Sequence, residues 1–61
     1  MITKLQKVRL SKGLTTRQLE KNSGITRQTI SRIEHGEKNV QIMTWIKLCR
    51  ALNCRLEDIM Q

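Results

Sequence analysis

Sixty-one residues set a ceiling of one domain, spanning 1–61, and twelve lysines and arginines against five acids leave it with a net charge of +7. Such a field attracts polyanions, namely DNA, RNA or an acidic membrane surface. No apolar run approaches the ~20 residues of a membrane span, and the N-terminal MITKLQKVRL lacks the apolar stretch of a signal peptide, so a cytoplasmic protein is expected.

There is no proline, no repeat and no low-complexity tract, and the β-branched residues do not alternate. Helical signals dominate, and the chain divides into five helical segments. The first covers about 3–12: Leu5 and Val8 lie three apart, with Ile2 one turn earlier, and Gly13 supplies a left-handed exit. Leu10 falls off this stripe. The second covers about 16–23. Thr15 and Gln18 have the spacing of a capping box, Leu19 is the one strongly apolar residue, and Gly24 stops the helix.

The third segment starts after Thr26 as N-cap and runs over 27–35, with Gly36 just beyond. Only Gly24, Ile25 and Thr26 separate it from the second. A three-residue turn opening on glycine makes two helices cross steeply, which is the signature of a helix-turn-helix. At 100° per residue, Ile30 and Ile33 face one way while Gln28, Ser31 and Arg32 face the other, flanked by Arg27 and Thr29. These side chains suit base-pair edges: arginine forks onto guanine, glutamine onto adenine, and serine or threonine onto either. Arg27, Gln28, Thr29, Ser31 and Arg32 are therefore the candidate base contacts. Thr16 and Arg17, at the start of the second helix, and Lys38 and Asn39, in the loop after the third, are the candidate phosphate contacts.

The fourth helix is expected over 41–52. Ile42, Trp45, Ile46, Cys49 and Leu52, with Leu48 beside them, give it the widest apolar face and make it the expected centre of the core. Asn53 offers a left-handed exit, and LEDIM forms a last short turn with Leu56 and Ile59 three apart. Cys49 and Cys54 have neither CxxC nor zinc-site spacing, and with His35 they are too few to close a structural zinc site. Buried thiols are expected, with no metal and no cofactor. One histidine and five scattered acids give no catalytic constellation, so the chain is not expected to be an enzyme.

From Leu5 to Ile59 the chain resembles the lambda-repressor-like, Cro/C1-type (XRE) helix-turn-helix family. The likeness is carried by Leu5, Val8 and Arg9, GLT at 13–15, Leu19, SGIT at 23–26, TISRIEHG at 29–36, LCRALNC at 48–54 and Leu56 to Ile59. The resemblance implies an all-α, compact five-helix bundle that binds operator DNA as a homodimer, and a structural ion pair between Arg9 and Glu34. It adds the same major-groove and phosphate residues by position. The chain departs from the family pattern at Thr16, often glutamine; at Glu20, commonly alanine; at Val40, often proline; at Gln41, usually a serine-like cap; and at Trp45, usually leucine. A poorly capped fourth helix is one consequence to look for; the other is a Glu20 that either points outward or loosens the crossing with the third helix.

The expected function is therefore sequence-specific binding of double-stranded DNA by a transcriptional regulator, most simply a repressor on an inverted-repeat operator. No membrane or small-molecule partner is indicated. The alternative is a DNA-binding antitoxin, a protein-interaction module of a toxin–antitoxin pair. Dimerisation is expected through apolar residues near Met43, Ile59 and Met60.

Overall fold

A computed structural model describes residues 3–60. Every regular element is helical: α1 (Lys4–Ser11), α2 (Thr16–Ser23), α3 (Arg27–Glu34), α4 (Ile42–Leu52) and α5 (Leu56–Ile59). Ile2, expected to extend the first apolar stripe, lies outside the described residues.

Local chemistry sets most of the boundaries. Thr3 and Thr26 each accept a backbone N–H three residues on, from Gln6 and Thr29. Thr15 and Gln18 form the full reciprocal box: the Gln18 N–H donates to Thr15 Oγ1 at 3.1 Å, and the Thr15 N–H donates to Gln18 Oε1 at 2.8 Å. Gln41 caps α4 with no side-chain hydrogen bond, in keeping with a side chain other than the short Ser, Thr, Asp and Asn that make good caps. At the C-terminal ends, α1 and α3 close with paired bonds to their last carbonyls. Leu14 N–H reaches Arg9 O while Gly13 N–H reaches Leu10 O; Glu37 N–H reaches Arg32 O while Gly36 N–H reaches Ile33 O. Helix α4 leaves through Asn53 at φ +54°, a conformation asparagine tolerates better than most residues. Lys12 and His35 are capping residues, so α1 and α3 are slightly shorter than their sequence patterns.

Leu5, Leu19, Ile30, Ile33, Leu48, Leu52 and Ile59 are fully sealed from solvent, with Trp45 and Cys49 beside them. Each large aliphatic side chain so buried contributes ~1.5–3 kcal/mol. Helix α2 packs on α3 and α4, while α1 packs on α3 and α5. All the helices therefore converge on one core, and the outer side of α3 is left uncovered.

Two expectations about the core need correction. Ile42 is exposed, so the buried face of α4 is Trp45, Leu48, Cys49 and Leu52. At 100° per residue Ile42 stands roughly 70° off the centre of that face, which Trp45 and Leu52 occupy, and it lies in the first turn. Ile59 is buried in the core rather than available for dimer contacts, whereas Met43 is exposed and Met60 half-buried. Leu10 is exposed, in keeping with its place off the α1 stripe.

Candidate nucleic-acid interface

The turn between α2 and α3 is held by its own polar groups. Gly24, at φ +77°, directs its N–H to Glu20 O at 2.8 Å and reverses the chain in a region that costs a residue with a Cβ ~1–2 kcal/mol. Ser23 Oγ donates to Leu19 O at 2.7 Å and accepts the Ile25 N–H at 3.1 Å. Ile25 packs against the core. The crossing of α2 and α3 is thus fixed by short-range bonds and an apolar plug.

On α3, Ile30 and Ile33 are sealed inward, and Arg27, Gln28, Ser31 and Arg32 are exposed. These four, with Thr16 and Glu34, line one open concavity of about 650 Å³. Thr29 turns to the other flank. It is half-buried, accepts a hydrogen bond from the Thr26 hydroxyl at 3.0 Å, and lines a smaller hollow of about 200 Å³ with Asn39, Gln41 and Thr44. Arg32 borders both hollows and its guanidinium has no partner among the described residues.

The candidate phosphate contacts divide. Thr16 and Arg17 are the first two residues of α2. The Thr15–Gln18 box leaves their N–H groups without intrahelical acceptors, so these donors point outward at the positive end of the helix. Thr16 opens onto the same concavity as the α3 side chains, whereas Arg17 is exposed and lines neither hollow. Past α3, Lys38 and Asn39 are exposed, and the Asn39 N–H donates to Glu37 Oε1 at 3.1 Å.

Arg9 and Glu34 lie behind this surface. Arg9 Nε donates to Glu34 Oε2 at 2.7 Å, Nη2 donates to Oε1 at 3.3 Å, and Nη1 donates to the Leu14 carbonyl at 2.8 Å. The two side chains are only 10% and 9% exposed. The forked pair ties the end of α3 to α1 and to the segment that leads into α2, so it sets the distance between the two helices that line the concavity.

Two features at this surface are missing from the sequence reading. Glu20 points outward but is not idle: its Oε2 accepts the Arg27 N–H at 3.2 Å and its Oε1 sits 3.4 Å from Arg27 Nε. His35 shares the outer face, with Nδ1 2.7 Å from Ser31 O and 3.4 Å from Ser31 Oγ. The spacing of His35 four residues after Ser31 was a visible cue; the Glu20 contact spans the turn and had none.

Cys49 is buried and Cys54 half-buried, with the Cys54 N–H donating to Cys49 O at 3.1 Å. Burial raises both thiol pKa values, and for Cys54 burial and the neighbouring Cys49 push it up to about 11. At pH 8 the Cys54 thiolate, the form that reacts, is then only about one part in a thousand. Alkylation by iodoacetamide, followed by mass spectrometry, should be slow at neutral pH and should accelerate about tenfold per pH unit towards that value. A rate that levels off near the ordinary thiol pKa would contradict the burial argument.

Two short helices crossing at a three-residue turn, the second sealed by two isoleucines and presenting arginine, glutamine and serine outward, define a helix-turn-helix DNA-binding domain. The comparisons with known proteins agree. The Helix-turn-helix family model matches residues 5–59, and the chain belongs to that family, of the Cro/C1 (XRE) type. It is 34% identical over 59 residues to an HTH-type transcriptional regulator of Archaeoglobus fulgidus, covering 97% of this chain and 84% of the relative. It is 30% identical to the HTH-type transcriptional regulator YgzD of Bacillus subtilis, covering 97% and 89%. Among solved structures, the restriction-modification controller protein C.AhdI from Aeromonas hydrophila superposes with a TM-score of 0.83 at 31% identity, over 90% of this chain and 83% of that one. The protein is thus a member of a family of DNA-binding transcriptional regulators. No helix among the described residues is long and apolar enough to cross a membrane.

Proposed function

We propose that this protein is a single-domain, cytoplasmic, sequence-specific repressor that binds an inverted-repeat operator as a homodimer and blocks a promoter by occupying it. The observation that carries this reading is the open concavity in which Arg27, Gln28, Ser31 and Arg32 stand beside the free N–H groups at the start of α2. In this reading α3 lies in the major groove. Arg27, Gln28, Thr29, Ser31 and Arg32 meet base edges there, Thr29 from the flank. Thr16, Arg17, Lys38 and Asn39 hold phosphates on either side and set the register. Arg9 and Glu34 keep the helices at their working separation.

Size supports a dimer. One copy measures 24 × 23 × 22 Å, whereas successive major grooves on one face of DNA lie ~34 Å apart. One domain therefore reads one groove, and a two-fold pair reads two. Ile42 and Met43, exposed at the start of α4, are the apolar residues this reading offers for the dimer contact. The likeness to a restriction-modification controller protein supports a regulatory role for a domain of this size.

The test is selection of bound duplexes from a random DNA pool at physiological salt. An inverted repeat with half-site centres about one helical turn apart is expected. Enrichment of no motif, or of an asymmetric one bound by a single copy, would overturn the proposal.

A further inference from the structure

Glu20 makes an unusual use of both its carboxylate oxygens. One accepts the backbone N–H of Arg27 at 3.2 Å and the other sits 3.4 Å from Nε of the same residue. A single carboxylate on α2 therefore grips the first residue of α3 at its main chain and its side chain together. The pair is 37% and 55% exposed, so its contribution to folding is small. Its geometric effect is not small. An arginine side chain at a helix start is normally free to sample many rotamers; here the ion pair draws the stem towards α2. With Nε engaged, the Nη1 and Nη2 groups at the tip have no partner among the described residues. That end carries two parallel N–H bonds, the fork that matches O6 and N7 of guanine. The negative charge also occupies the Arg27 N–H, so this helix start offers a phosphate one donor fewer.

We propose that Glu20 is a specificity-determining positioning residue: by holding Arg27 at its N–H and Nε, it presents the Nη1–Nη2 end of the guanidinium to one guanine in each half-site. The inference rests on the DNA-reading role of α3 proposed above. Glu20 touches no base itself. It lowers the entropy that Arg27 loses on binding and turns it away from neighbouring phosphates.

Glu20→Gln is the informative variant. The amide oxygen can still accept the Arg27 N–H, so the helix start and melting temperature should be retained, but the charge that holds Nε is gone. Ordering a rotamer-rich side chain costs ~0.5–1.5 kcal/mol, so preference for the guanine contacted by Arg27 should fall by about two- to twelvefold. Preference at the base pair read by Arg32 should not change, and affinity for scrambled duplex should rise. In an Arg27→Ala background, Glu20→Gln should no longer alter base preference at any position. Nitrogen-15 relaxation of the Arg27 Nε–H group in the free protein should show a restrained side chain that becomes mobile in Glu20→Gln.

If the native protein selects no sequence, the functional reading fails and this inference with it. If it selects an operator and Arg27→Ala relaxes no guanine position, or Glu20→Gln leaves preference at that position intact, the inference alone is overturned. A mobile Arg27 Nε–H in the native protein would also overturn it.

Discussion

Glu34→Ala should cost this protein about 3 kcal/mol of stability, the low end of the ~3–5 kcal/mol seen when one member of a buried ion pair is removed. The reason is Arg9, whose side chain is only 10% exposed and gives two of its three hydrogen bonds to Glu34. Without the carboxylate, Arg9 keeps the Leu14 carbonyl at 2.8 Å, which softens the loss but does not neutralise the charge. At ~0.05–0.15 kcal/mol per residue, a domain of this length has roughly 3–9 kcal/mol in total, so the variant would be close to unfolding at body temperature. In a thermal melt followed by far-UV circular dichroism, a small domain shifts ~4–8 °C per kcal/mol, which gives a fall of roughly 12–24 °C.

Replacing both partners separates the cost of an unpaired charge from the worth of the pair. In a double variant, Arg9→Met with Glu34→Leu, the buried charge disappears along with its partner. Stability should return to near the native value or above it, because burying two ions is itself costly. The double variant should nevertheless bind DNA less well than the native chain. The fork that holds the end of α3 against α1 and the Leu14 segment is replaced by contacts with no fixed angle. A double variant as unstable as Glu34→Ala would mean that packing around Arg9, and not its charge, is what the pair supplies.

What could be read from the chain follows the range of each interaction. The Thr15–Gln18 box and the caps at Thr3 and Thr26 join residues three apart, so their pattern is printed in the sequence. The inward isoleucines of α3 were legible because eight residues of regular helix fix where each side chain points. The Arg9–Glu34 contact spans 25 residues: the family likeness suggests the pairing, and the helical wheel supports it only by setting Glu34 beside the Ile30 edge. The rotation of α4 is not legible in the sequence, because eight apolar residues within one helix leave it to be settled by packing on α2 and α5. Ile59 was misplaced for a related reason: a four-residue helix has no periodicity to show which side is buried. The Glu20–Arg27 bridge lies between these ranges. It is seven residues long, but those residues include the turn, and the turn's geometry decides whether the carboxylate meets Arg27 or water.

Arg32 and Lys38 should fail in different ways when truncated, and the difference identifies which of them reads sequence. Arg32 is exposed, has no side-chain partner among the described residues and is placed between the two hollows beside α3. Arg32→Ala therefore leaves the fold intact, so any loss belongs to binding. One forked contact to guanine is worth ~1–3 kcal/mol of discrimination, or about 5- to 150-fold at one base pair in each half-site. Arg32→Lys should lose nearly as much of that preference, since a lysine keeps the charge and lacks the planar fork. Its salt dependence should stay close to native. Lys38 sits exposed in the loop after α3, and the proposed binding mode sets its point charge against the DNA backbone. Lys38→Ala should weaken operator and scrambled duplex by the same factor and lower the slope of log affinity against log salt by about one unit per contact. Fluorescence anisotropy with both duplexes over a salt series measures each of these quantities. Should Arg32→Ala and Lys38→Ala weaken every duplex alike, the outer face of α3 is a cationic surface and not a reader, and base selection must come from elsewhere on the domain.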